Sequence, residues 1–468
     1  MMDASEPITA SISRWATRLE FEQLSPAAVY QAKRFLLDSL GCALGGYRQR
    51  DVQIYLELMR EVAGTGTATV IGSGQKVDAL SGALANALMI RVLDFNDIYW
   101  KQDPSHPSDI IPSAIACCER RVVDGKELIV AMVLGYEFAM RLSEAAFPGI
   151  RERGWHHATL TALAAPIAAA RALRLDAQRM QHAIGISGSH MATVSGVVAG
   201  KLSMMKNTVD PLAAHSGVLA ALLAERGYTG PEGVIDGKEG LVHALGPEWR
   251  LSVLTDKLGE SWRIEQCGMK AFPTEALTHT PLSAVLELVK KHDLTPKHIA
   301  KVQVRTLARA VDILADPSKY DPHTKETADH SLPYCVAAAI VDRQLTPAQF
   351  TQEKIENPLI RAQLNKVEVV ADDEIEKVFP ELQRAAVAII TTNGDRYDTL
   401  LDYPKGDFRN PLSDEELEQK FDALAAALQS ARARRELKRA VWQLEDLQSV
   451  SMLMDLCKAD QQSADESR

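Results

Sequence analysis

Residues 94–116, DFNDIYWKQDPSHPSDIIPSAIA, crowd carboxylates, an amide and an imidazole into one short stretch. Asp94 and Asp97 leave the end of a run at 77–92 whose apolar residues recur at helical spacing, and His106 and Ser108 precede a second helix that begins around Pro112. Pro104 and Pro107 forbid a continuous helix between the two, because proline lacks the N–H and its ring clashes with the preceding turn. The pattern predicts an irregular loop on rigid supports, with the acids and the imidazole facing one cleft. Groups of these types can take a proton from a bound substrate and return one to a leaving group. Asp94, Asp97, His106 and Asp109 could also ligate a divalent cation, but their spacing matches no known cage and no metal is expected.

Four other stretches carry groups of the same kind. Residues 154–159, GWHHAT, set His156 and His157 directly before an alanine-rich helix, whose first amides favour anions. Neighbouring residues point in different directions, so at most one imidazole is expected to face a site. Residues 204–207, MMKN, place Lys206 among apolar neighbours just before a helix predicted to open at Pro211; taken alone, it reads as a surface charge. Residues 270–279, KAFPTEALTH, lie where a helical pattern gives way to a mixed one, and such seams often supply pocket residues. Lys270 and His279 are the candidates there, against the plainer reading of a turn with a surface histidine. In residues 326–334, ETADHSLPY, Asp329 and Ser331 read as helix caps, and Tyr334 stays open between pocket and core. The glycines at 185–189 and 196–200 fit neither a dinucleotide fingerprint nor a phosphate loop, so no nucleotide cofactor is expected.

The elements that must position these groups change character along the chain. Ser25 caps a helix with Pro26 in its first position, and 28–44, 126–145, 159–173 and 211–226 continue the helical pattern. After about residue 265, 300–307 and 367–370 read as strands, and 385–392 and 396–400 flank Asn393-Gly394 as a hairpin. Helices at 281–292 and 331–342 interrupt them, and SDEELEQKF from Ser413 opens a helix with the acid-rich first turn that its dipole favours. The fold expected is mostly α, a large all-helical domain with an inserted smaller α+β lid domain. Residues 1–265 form the first part of the helical domain, 266–405 the lid, 406–458 the returning helices and 459–468 a frayed tail.

Composition narrows the partners. The chain has 468 residues, enough for two domains, and its 24% charged and 46% hydrophobic residues are those of a globular protein. A net charge of -10 disfavours nucleic acid or an anionic membrane as the main partner. No run is long and apolar enough to span a bilayer, and the N-terminus lacks a basic flank leading into an apolar core, so a cytoplasmic location is expected. The six cysteines are scattered without a CxxC, which reads as reduced, buried thiols and not as zinc or iron–sulfur ligands.

Taken together, LDFNDIYW with SHPSDIIP, GWHHATLTALAAPIAAARAL, MMKNTVDPLAAHSGVLAALLAERGYTGP, KAFPTEALTH, HTKETADHSLPY and NPLSDEELEQKF resemble the MmgE/PrpD family, in family order over nearly the whole chain. That family includes 2-methylcitrate dehydratase, cis-aconitate decarboxylase and some epimerases, and the wording here looks closest to the dehydratase branch. The resemblance implies a homodimer without metal or organic cofactor, acting on a di- or tricarboxylate in the cytoplasm, or in the mitochondrial matrix of a eukaryote. By position it implies catalytic roles for Asp94, His106, His157, Lys206 and His279, and substrate contacts from Asn96, Ser108, His156, Lys270 and Tyr334, with His156 the fallback for His157. The reaction it implies is dehydration of 2-methylcitrate or citrate, a step of propionate metabolism through the methylcitrate cycle. Decarboxylation of a cis-aconitate-like acid and epimerisation of a related polycarboxylate are the enzymatic alternatives; an inactive tricarboxylate-binding homologue is the other. Family members often read DFNDT or DFDDT, and here Ile98 replaces the threonine, removing a hydroxyl from the expected pocket.

Overall fold

The computed structural model describes residues 6–101, 103–199, 202–246 and 248–460. Of the tail expected at 459–468, residues 461–468 lie outside the described residues. The chain is mostly helical, and its described residues build two large hydrophobic cores, one from residues 12–269 with 412–457, the other from 272–389 with Trp100, beside a small cluster of Ala158, Ala162, Val209 and Ala213.

The first core is built by the helices Pro26–Gly46, Ala79–Arg91, Gly125–Ala145, Ala158–Ala172 and Met205–Glu225. Ser25 caps the first by accepting the N–H of Ala28 at 3.0 Å, and Asp78 and Asp124 cap the second and third. Every residue of Ala158–Ala172 is buried, and its small side chains admit close neighbours. At Gly217 on Met205–Glu225, an added Cβ would meet the Ala165 Cβ at 2.6 Å, so only glycine allows that approach. The helix Asp414–Ala425, opened by a Ser413–Glu416 capping box, lays Phe421 against Gly41 and closes this core.

The second core packs the helices His279–Lys291 and Leu332–Asp342 on a four-stranded sheet. The strand order is Arg396–Leu401, Ala385–Thr391, Ile299–Thr306, Val367–Ala371, antiparallel except for the last pair. Gly394, at φ +91°, makes the turn expected of Asn-Gly.

Two local readings change. The stretch after Asp94 is not all irregular, since Asp97–Trp100 forms a strand between Pro104–Ser105 and Gly268–Met269. That pairing joins residues about 170 apart in sequence, which no local pattern reveals. The helix expected to open at Pro211 begins at Met205, and Pro211 sits inside it. Proline forfeits one backbone bond there, a cost of roughly 3 kcal/mol that burial of the surrounding helix outweighs. Lys206 thereby falls in the first helical turn and is buried, not a surface charge. The six cysteines are all buried and free of disulfides. Among the described residues, no helix is long and apolar enough to cross a membrane.

Candidate active site

A cavity of about 930 Å³ lies between the two cores. One wall is organised by Asp94, which follows the helix Ala79–Arg91 in the left-handed region at φ 51°, tolerable for aspartate. Its Oδ1 accepts from Arg91 Nη1 at 2.6 Å and Lys270 Nζ at 2.6 Å, and its Oδ2 from Lys206 Nζ at 2.8 Å. Burial alone would raise its pKa, but Lys206, Lys270 and Arg91 outweigh that and hold it well below the usual carboxylate range. A carboxylate so engaged is a poor proton acceptor. Arg91 also reaches Asp109, its Nε 3.7 Å from Oδ2, and burial pushes the Asp109 carboxyl well up towards its neutral form. Three cations around one ionised carboxylate leave this wall with positive charge for an anionic ligand.

The opposite wall is made of imidazoles. His106 Nδ1–H donates to the backbone carbonyl of Asp97 at 2.6 Å, which leaves the Nε2 lone pair free of that bond. Burial, then the charges of Arg91 and Lys270, push its pKa well below the ordinary value, so the ring is neutral. The His157 ring lies 5.3 Å from it, with Nε2 3.1 Å from Asp210 Oδ2. Burial works to raise Asp210, but His157, His156 and Arg91 outweigh it and keep the carboxylate ionised. The Thr161 hydroxyl also donates to Asp210 at 3.0 Å. Asp210 stands one turn after Lys206 on the same helix, so one element supplies a member of each wall.

The MmgE/PrpD N-terminal domain matches residues 10–253, and the MmgE/PrpD C-terminal domain matches residues 272–446. The chain belongs to the MmgE/PrpD family. It is 24% identical to a cis-aconitate decarboxylase of Aspergillus terreus over 97% of this chain and 96% of that one. It is 26% identical to the cis-aconitate decarboxylase of Homo sapiens over 96% and 94%. To the 2-methylcitrate dehydratase of Escherichia coli K12 it is 24% identical over 84% of each. At these identities the family is fixed, and the reaction within it is not.

In this MmgE/PrpD chain both adjacent imidazoles line the cavity, against the expectation of at most one. The reason is local: the His156 N–H bonds Thr193 O at 2.8 Å in a bridged, non-helical stretch, so helical spacing does not separate the two side chains. Their rings lie 3.9 Å apart. The nitrogens of His156 and His157 and an oxygen of Asp210 all fall within 4.8 Å of one another, as a divalent cation would require. Within the protein, His156 Nδ1 accepts the Ala158 N–H at 3.2 Å, and His157 Nε2 lies 3.1 Å from Asp210 Oδ2. These groups are already bonded to one another and to the backbone, and no metal site is assigned.

Other residues singled out in the sequence lie outside the cavity. His279 is buried, with Nε2 3.3 Å from Thr274 O, and faces a separate crevice of about 60 Å³. Ile98, Lys270 and Ala276 line both spaces and stand between them. Tyr334 donates its hydroxyl to Gln349 O at 2.5 Å inside the second core, because its helix turns that face away from the seam. Asn96 and Ser108 lie behind the wall, Asn96 Nδ2 donating to Ser108 Oγ at 2.9 Å. Ser331 caps its helix through the Tyr334 N–H. Asp329 does not cap; it takes Lys325 Nζ at 3.0 Å and His330 Nδ1 at 2.5 Å. Arg91, Asp210, Glu275 and His330 complete the site or its rim without having been singled out. For Asp210 a signal existed, four residues beyond Lys206 and therefore on its helix face.

Proposed function

We propose that this protein is a cofactor-independent lyase that removes water from a hydroxy-polycarboxylate such as 2-methylcitrate or citrate. The observation that carries this reading is His106, a neutral imidazole whose Nδ1–H is tied to Asp97 O, leaving Nε2 to act as base, with the ring centroid of a second, carboxylate-paired imidazole 5.3 Å from its own. Substrate carboxylates dock on the wall of Arg91, Lys206 and Lys270, which lowers the cost of negative charge building up beside them. His106 Nε2 takes the proton from the carbon next to a carboxylate, and the electron pair forms the C=C bond as the C–O bond breaks. His157, whose Nε2–H is held by Asp210, gives a second proton carried on Nδ1 to the departing hydroxyl, which leaves as water. Asp94 orders the cations and is not itself the base. The apolar side chains of Ile98, Trp100 and Leu202 line the same cavity, and suit a substrate that carries an alkyl group, as 2-methylcitrate does.

A second reading, decarboxylation of a cis-aconitate-like acid, is favoured by the decarboxylase relatives, which match 97% of the chain where the dehydratase of Escherichia coli matches 84%. That reaction needs an acid to protonate the carbanion left by CO2 loss, but no base. One experiment separates the two. Chelator-treated protein is given 2-methylcitrate or citrate while the absorbance of an unsaturated product is followed, and cis-aconitate while CO2 release is followed, each with His106→Ala alongside. Dehydration that vanishes in the variant supports the first reading; CO2 release that survives in it supports the second. Protein that binds tricarballylate and turns over none of these acids would sink both.

The region at 266–405 is proposed to act as the lid over this cavity, since Asp312, Lys319, Thr324 and His330 form its outer rim, and the working unit is proposed to be a homodimer.

A further inference from the structure

His106 and Ser108 both hang from one buried residue that never touches the cavity. The backbone carbonyl of Asp97 takes the His106 Nδ1–H at 2.6 Å, while its carboxylate takes the Ser108 N–H at 2.9 Å through Oδ2 and the Ser108 hydroxyl at 2.6 Å through Oδ1. Ser108 Oγ already accepts from Asn96 Nδ2 at 2.9 Å, so its own proton can go only to Asp97. Asp97 is in turn held by the strand pairing of Asp97 with Met269. We propose that Asp97 is the positioning residue for His106, gripping the 106–108 turn as a carboxylate and loosening it when protonated.

The physical reason is a count of donors. An ionised carboxylate accepts both bonds from Ser108. A protonated one presents an O–H to a serine whose N–H and O–H point the same way, so one bond is lost and two donors face each other. The surroundings set where this happens. Among the described residues no cation pairs with Asp97. The groups facing it are Asp38 and Cys42 on Pro26–Gly46, Tyr136 on Gly125–Ala145, Cys267 with Sγ 3.9 Å from Oδ2, Asp109 beside Arg91, and His106 itself. Burial, with Asp38 adding to it, outweighs the hydrogen bonds from Ser108 and the influence of the nearby Tyr136 hydroxyl, and lifts the Asp97 pKa to about 6. His106 stays neutral through that range, because burial and the neighbouring cations oppose its charging. An acid limb of activity near pH 6 is the expected signature of Asp97 taking up a proton.

The kinetic arm of the test rests on the lyase reading; the spectroscopic arm does not. In wild type, kcat falls as pH drops through about 6. In Asp97→Asn it is at least tenfold lower at pH 7.5, with KM within threefold, and the limb is gone. By 15N NMR, wild-type His106 holds the single Nδ1–H form at pH 7.5, loses it over the same transition, and gains no proton. An acid limb that persists unchanged in Asp97→Asn, or a His106 tautomer indifferent to the transition, overturns the proposal. Should Asp97→Asn fail to fold, the wild-type NMR titration decides alone, and Ser108→Ala, which removes one of the two bonds, is expected to lower kcat and leave KM. If no polycarboxylate is turned over, the lyase reading fails, and the NMR titration still decides the role of Asp97.

Discussion

The two walls of the cavity solve opposite problems. On the Asp94 wall one ionised carboxylate is ringed by three cations, which fixes it in place and leaves a surplus of positive charge. On the imidazole wall, His106 is neutral with a nitrogen to spare, and His157 is hydrogen-bonded to Asp210. Saturated charge gives a fixed anchor, whereas proton transfer needs a lone pair left open. The difference teaches that the most heavily bonded acid in the site is the least suited to be its base.

The comparison breaks most severely at Asp94. Asp94→Asn leaves three buried cations without their counter-charge, and is expected to abolish turnover and cost roughly 3–5 kcal/mol of stability in denaturant titration. The pH dependence follows from the sign of the shift. A carboxyl depressed in the folded state contributes stability above about pH 4, where the unfolded carboxyl ionises, and loses it as pH falls further. The variant should lose less stability than wild type on that descent, and an equal loss would count against the pairing. On the other wall, His106→Ala is expected to lower kcat roughly 10²–10⁴-fold while the melting temperature barely moves. Full turnover in that variant would remove the base from the dehydration scheme.

Smaller changes sharpen the contrast. Asp210→Asn should cut kcat about 10²-fold with little change in KM, since it weakens the support of His157 and leaves the anchor intact. A KM effect of that size would instead place Asp210 in binding. Ile98→Thr restores a hydroxyl on the wall between the cavity and the His279 crevice. It is expected to shift the preference between 2-methylcitrate and citrate by about tenfold, the scale of one methyl-sized contact, measured as a ratio of kcat/KM values. Tyr334→Phe removes only the bond to Gln349 O and should cost about 1 kcal/mol of stability, with KM unmoved.

Much of this was legible in the chain. Apart from the start of Met205–Glu225, periodicity placed the helices it named within a residue or two, because a buried helix repeats its apolar face whatever surrounds it. The turn chemistry of Asn393-Gly394 and the caps at Ser25, Ser331 and Ser413 were equally local. Asp94, His106, His157 and Lys206 drew notice as polar groups in apolar or proline-broken settings, and the structure gathers them around one cavity. What the chain could not say was which groups face one another. The strand Asp97–Trp100 depends on Gly268–Met269, so its clamp on His106 is visible only once distant segments pair. Whether Lys206 lay on the surface depended on a helix running through Pro211, a choice made by packing against local preference.

The sequence by itself determined most element types, the family and the inventory of acids and bases, since these follow from side-chain chemistry and short-range spacing. Tertiary structure alone decided that Asp94 is a saturated anchor, that His106 is a neutral imidazole with Nε2 open, and that His279 and Tyr334 lie outside the cavity. Protonation and access are properties of a group's surroundings, set by burial and by charges brought from elsewhere in the chain.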